Sequence, residues 1–193
     1  MGADEKNGLV AAEVMPEGFY EHVSGVLDAA RWRAYTAVNF AMVEAYWEIG
    51  RSIVEQQGGA ERAEYGEELL RELSRRLTED FGKGFDESNL RYMRRFYLAF
   101  PIRDALRHEL SWTHYRRLSR VADPEARMWY MNECAKSNWS TRQLERQINT
   151  MFRERLLASR DKEAVAAEVF EKEAPRRPED IIRDPYVLEF LGI

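Results

Sequence analysis

From Phe19 to Ile53 the apolar residues Val23, Val26, Ala30, Ala34, Ala37, Val38, Ala41, Met42, Ala45, Ile49 and Ile53 recur every three or four positions, and no stop signal appears before Gly58-Gly59. Only an α-helix gathers residues so spaced onto one side. At a rise of 1.5 Å per residue, a helix of nearly 40 residues is about 55–60 Å long. That exceeds the width of a compact domain made from a 193-residue chain. Part of it must therefore lie against something else, and the expectation is a homodimer formed through this arm or contact with a neighbouring domain.

The rest of the chain reads as helical too. Glycine (11) and proline (6) are sparse, apolar residues make up 45% and charged residues 33%, a balance that favours packed helices over disorder or a turn-rich sheet. Glu64 to Phe81 places Tyr65, Leu69, Leu70, Leu73 and Leu77 on one side and Arg71, Arg75 and Arg76 on the other, ending at Gly82-Lys83-Gly84. Asp86 or Ser88 can cap a helix over Asn89 to Phe100, which Pro101 ends. Further helices are expected over Ile102–Glu109, Trp112–Val121 behind Ser111, Glu125–Lys136 behind Asp123-Pro124, and Thr141–Leu157 behind Ser140. A charged, alanine-rich helix over 161–174, a Pro175-Arg176-Arg177-Pro178 linker and a short apolar helix Tyr186–Leu191 complete the chain. No segment alternates with period two.

These elements imply an all-α helical bundle with a long N-terminal helix and a helix-turn-helix or winged-helix-like module. The expected division is a disordered lead over 1–15, the long helix as an oligomerisation arm over 16–63, the helix-turn-helix-like domain over 64–157, and a helix and linker over 158–193. The single cysteine, Cys134, cannot form an intrachain disulfide, and no cleavable leader pattern opens the chain. No run approaches the roughly 20 apolar residues of a membrane span. A reducing, cytoplasmic location is the expectation.

Charge is distributed unevenly. Residues 1–70 hold 5 Lys and Arg against 13 Asp and Glu, residues 71–120 hold 12 against 7, and residues 121–193 hold 12 against 14. A polyanion senses charge within a Debye length of about 8–10 Å, so an overall net charge of −5 does not veto a basic middle. There, Lys83 precedes a helix that begins at Asn89 and on which Arg91, Arg94 and Arg95 share the side opposite Leu90, Met93, Phe96, Tyr97 and Phe100. A second basic run, His114, Arg116, Arg117 and Arg120, follows Trp112. A helix behind a tight turn is what major-groove recognition requires, with arginines reaching phosphates or base edges. The same arginines could equally form the solvated face of an ordinary bundle helix.

Signs of catalysis are lacking. His22, His108 and His114 are scattered, no zinc-ligand spacing occurs, and Gly82-Lys83-Gly84 is too short to cradle phosphates. No metal, cofactor or enzymatic activity is expected of this chain.

Several separated motifs, in order, resemble a known family. They are Tyr46-Trp47-Glu48-Ile49-Gly50-Arg51, Tyr65-Gly66 with Leu73-Ser74, Phe81-Gly82-Lys83-Gly84-Phe85 leading to Asn89-Leu90 and Met93-Arg94-Arg95-Phe96-Tyr97, Leu110-Ser111-Trp112-Thr113-His114-Tyr115, and Trp139-Ser140-Thr141-Arg142-Gln143-Leu144. Over about residues 20–157 the chain resembles the N-terminal domain of the YhcG-type bacterial proteins. That resemblance implies a helical DNA-binding region preceding a C-terminal nuclease domain of the PD-(D/E)XK superfamily. Asp184 to Gly192 looks like the lead-in to that nuclease, whose catalytic core this chain does not supply. Residues 110–150 also bear a looser similarity to the helical DNA-binding region of ParB-like proteins, which brings Arg142 into the candidate surface. The expected nucleic-acid contacts are thus Lys83, Asn89, Arg91, Arg94, Arg95, His114, Arg116, Arg117 and Arg142, with DNA as partner and RNA as a further option. The competing expectation is a protein-interaction or oligomerisation module whose arginines merely pair with carboxylates.

Overall fold

In a computed structural model the described residues are 15–57, 63–161 and 185–191, and every regular element among them is helical. The long helix α1 spans Phe19–Gln57, α2 Ala63–Phe81, α3 Glu87–Ala99, α4 Trp112–Leu118, α5 Pro124–Lys136, α6 Thr141–Asn149, α7 Phe152–Ala158 and α8 Pro185–Leu191. Among these residues there is no strand, and hence no β wing. The 161–174 helix and the proline linker fall outside the described residues.

Local capping chemistry fixes the helix starts. The Asp86 carboxylate accepts the Asn89 N–H (3.0 Å), Asp123 accepts from Glu125 N (3.0 Å) with Pro124 in the first turn, and Ser140 Oγ accepts from Gln143 N (3.2 Å). Each satisfies a backbone donor that the helix itself leaves orphaned. Between α2 and α3, Gly82 and Gly84 adopt φ of +82° and +99°, a conformation that disfavours any residue with a β-carbon. That turn swings α3 back along α1.

Two expected helices are corrected. Ile102–Glu109 is mostly irregular, reduced to a single 3-10 turn at Arg103–Ala105, because Leu106 and Leu110 both turn inward to the core. The Tyr115 hydroxyl stands in for helical bonding there, accepting from Arg107 N (2.6 Å) and donating to Arg107 O (3.2 Å). Thr141–Leu157 is two helices, since Met151 sits in the left-handed region at φ 50°. The break re-aims Phe152 into the core against Trp129 and Trp139.

The core is aromatic and begins only in the second half of α1. Met42, Val43, Tyr46, Trp47 and Ile53 are buried against Leu90, Met93 and Phe96 of α3 and Trp112, Tyr115 and Leu118 of α4. Edge-on ring pairs knit the three helices together, with Tyr46 and Trp112 centroids 4.9 Å apart and Phe96 and Trp112 5.5 Å apart. α1 and α3 cross in near contact at Gly50, where a β-carbon would overlap the Met93 carbonyl. Beside that crossing the Trp47 indole N–H donates to Phe100 O (2.6 Å). α5, α6 and α7 add Tyr130, Met131, Leu144 and Phe152 around Trp139. α8 returns to the bundle, with Val187 buried and Phe190 packed edge-on to Tyr46. The first half of α1, through Ala34, is almost wholly exposed.

Candidate nucleic-acid interface

Two of the expected contact residues belong to the core. Asn89 is buried: its Nδ2 donates to Gly84 O (2.6 Å) and its Oδ1 accepts from the Trp112 indole (3.2 Å), so it holds the glycine turn to α4. His114 is fully buried as well. The Ser111 N–H donates to its Nδ1 (3.1 Å), which leaves the ring proton on Nε2, donated to Trp139 O (3.0 Å). Neither side chain faces a ligand. Each is a structural polar group with one local partner and one more than 20 residues away, and the distant one is beyond the reach of sequence periodicity.

Of the remaining candidates, two are neutralised locally. Arg91 pairs with Glu87 (2.9 Å) and Arg117 pairs with Glu145. Exposed Lys83, by contrast, lines a cleft that Asp86 and Glu189 also line, without an ion pair to either. The α2 arginines are occupied: Arg71 with Glu68, and Arg75 and Arg76 both with Glu72, whose carboxyl their hydrogen bonds hold at about 2. Arg103 ties the loop after α3 to Glu44 of α1 (2.6 Å).

What the fold does bring together is a ring-centred cluster. Tyr92, on α3, is half-buried, and Arg95 from the next turn lies with its guanidinium carbon 6.0 Å from the ring centroid. Arg116 of α4 stacks on the same ring at 4.1 Å, and Arg120, just past α4, stands at 5.5 Å and donates to the phenolic oxygen (2.8 Å). Tyr186 of α8 covers Arg116 from another side at 5.2 Å. Hydrogen bonds from Arg120 and then Arg116 draw the Tyr92 phenol below its ordinary pKa. Among the described residues no carboxylate pairs with Arg95, Arg116 or Arg120. Arg94, half-exposed, continues the cationic side of α3.

Arg95 and Arg116, from two separate basic runs, are therefore convergent, whereas Arg142 stands exposed in the first turn of α6 and no contact joins it to them. Tyr92 and Arg120 complete the cluster, and of these Tyr92 has no signal in the sequence beyond lying three residues before Arg95. Cation–π contact holds guanidinium planes in place without consuming their outward donors. Such an arrangement can accept phosphate oxygens in a preset geometry. Among the described residues no group of three or more His, Cys, Asp or Glu could hold a metal ion, and no helix is long and apolar enough to cross a membrane.

Residues 22–155 match the family described as the DUF1016 N-terminal domain. A protein of Escherichia coli (strain K12) with the name "Putative nuclease YhcG" is 38% identical over 207 aligned positions, which cover 90% of this chain and 55% of that protein. The chain thus spans about half the length of the curated relative it matches. No solved structure matches.

Proposed function

Because the chain belongs to the DUF1016 N-terminal domain family and its relative carries the name of a nuclease, we propose that it is a DNA-binding module serving a nuclease. It would hold the phosphate backbone and leave phosphodiester chemistry to a separate catalytic domain. α2, the glycine turn and α3 are the helix-turn-helix of this reading, and α3 presents Arg94 and Arg95 toward the duplex. The observation that carries it is the set of arginines, Arg95, Arg116 and Arg120, gathered on Tyr92 with no carboxylate among the described residues to neutralise them. A surface meant only to solvate a bundle would pair them, as α2 pairs its own.

Salt dependence tests this directly. Each phosphate contact on duplex DNA contributes about 0.9 to the slope of log affinity against log salt, so three contacts contribute roughly 2.7. Between 50 and 200 mM salt that amounts to a loss of about 40-fold in affinity. The double substitution Arg95→Ala and Arg120→Ala should flatten the slope by about 1.8 units while leaving helicity unchanged, read by fluorescence anisotropy with a labelled duplex. An unchanged slope in the folded variant overturns the assignment, and a response confined to RNA would replace DNA as the partner.

A further inference from the structure

On α1 the positions 20, 23, 27, 30, 34, 37 and 41 alternate steps of three and four without a fault, which is the a/d seam of a heptad repeat. They are Tyr20, Val23, Leu27, Ala30, Ala34, Ala37 and Ala41, and every one is exposed: Tyr20 by 65%, Leu27 by 53% and Val23 by 40%. Phe19 and Val26, on the flank of the seam, are each about half exposed. The seam stays open even where the helix meets the domain, because Asn39, Met42, Val43 and Tyr46 enter the core from a different side.

We propose that this seam pairs antiparallel with the same segment of a second copy of the chain. Size complementarity sets the direction. In an antiparallel pairing about a point between Leu27 and Ala30, Leu27 faces Ala30, Val23 faces Ala34 and Tyr20 faces Ala37, so every large side chain meets an alanine. Facing large and small residues across a seam lets layers interdigitate and the helices approach closely. A parallel pairing puts Tyr20 on Tyr20 and alanine on alanine, which crowds one end and leaves gaps at the other.

Charge agrees. Glu21 and Asp28 lie toward the start of the segment, and Arg31 and Arg33 lie after them. The antiparallel register sets Asp28 of one copy within a turn of Arg31 of the other, and Glu21 within a turn of Arg33. In a parallel pair like charges would run side by side. The seam and its flank offer roughly 500 Å² per copy, near the lower bound for a stable interface, so the dimer should be concentration-dependent.

Sedimentation velocity across roughly 1–100 μM, a range in which an interface of this size should titrate, tests the dimer. The wild-type chain should shift from monomer to dimer, and Leu27→Glu should abolish the shift. Because Leu27 is exposed in the single chain, circular dichroism should show the variant's fold intact. For direction, Leu27→Cys mixed with Ala30→Cys should form a disulfide between the two variants faster than either forms with itself, and buried Cys134 does not compete. A wild-type chain that stays monomeric throughout overturns the proposal. Self-crosslinking of Leu27→Cys in preference to the mixed pair overturns the antiparallel register.

Discussion

Replacing His114 separates a structural histidine from a ligand-binding one, and the structure sets the scale of the effect. The ring is fully buried, accepting from Ser111 N–H at a nitrogen that Ser111 Oγ also approaches to 2.8 Å, and donating to Trp139 O. In His114→Ala the Ser111 N–H and Trp139 O lose their bonds inside the core, at about 1–3 kcal/mol each. Trp139 O keeps a weak contact from Cys134 Sγ at 3.7 Å, which places its cost at the low end. The space vacated by the ring adds about 2 kcal/mol. The total is about 5 kcal/mol, or a fall in melting temperature of about 10–20 °C for a chain this long. His114→Gln should cost only about 2 kcal/mol, because glutamine at the third helical position can still accept the Ser111 N–H while failing to reach Trp139. Urea unfolding followed by tryptophan fluorescence reads both values, since Trp112 and Trp139 flank the site. A loss below about 1 kcal/mol in His114→Ala would refute the reasoning, because the unsatisfied Ser111 N–H and the vacated space together should exceed it. So would a His114→Gln protein that is stably folded yet has lost DNA affinity, which would put the imidazole at the ligand.

Gly50→Ala should destabilise the fold by about 2–3 kcal/mol in thermal unfolding, because the new β-carbon meets the rigid Met93 carbonyl instead of a movable side-chain end; a melting point equal to wild type would mean that α1 and α3 do not cross so closely. Tyr92 should ionise at lower pH than an ordinary tyrosine in an ultraviolet titration, with Arg120→Ala moving it back up. Because its folded pKa lies below the unfolded one, its contribution to stability is absent at neutral pH and grows as pH rises between the two values; a Tyr92→Phe protein whose phenolate titration matches wild type would contradict the cluster.

Helix starts were legible because capping is a short-range affair. Asp86, Ser111, Asp123 and Ser140 all stand where their side chains and neighbours indicate. The left-handed Met151 was not, since Asn149-Thr150-Met151 contains neither glycine nor proline, and the turn is imposed by burial of Phe152. Polar residues misled for the same reason. Asn89 suits base reading by residue type, yet it precedes Met93 and Phe96 by four and seven positions, on the packed side of α3, and a tryptophan 23 residues later donates to its oxygen. Arg95 and Arg116 could each be read as basic, but their convergence on Tyr92 depends on how α3 meets α4, which periodicity within one helix does not encode. The long helix was legible in extent, and its division into a packed half and an open half follows from which side α3 takes.

The contact at Gly50 has a use in reading other chains. Where two helix backbones touch, the side chain between them sets their spacing, and here that side chain is a hydrogen atom. A sequence with alanine or a larger residue at the equivalent position must hold the helices apart by a further atomic layer, and the indole of its Trp47 counterpart would then fall short of the Phe100 carbonyl it reaches here at 2.6 Å. One column of an alignment can therefore divide chains that share this packing from chains that share only its hydrophobic pattern.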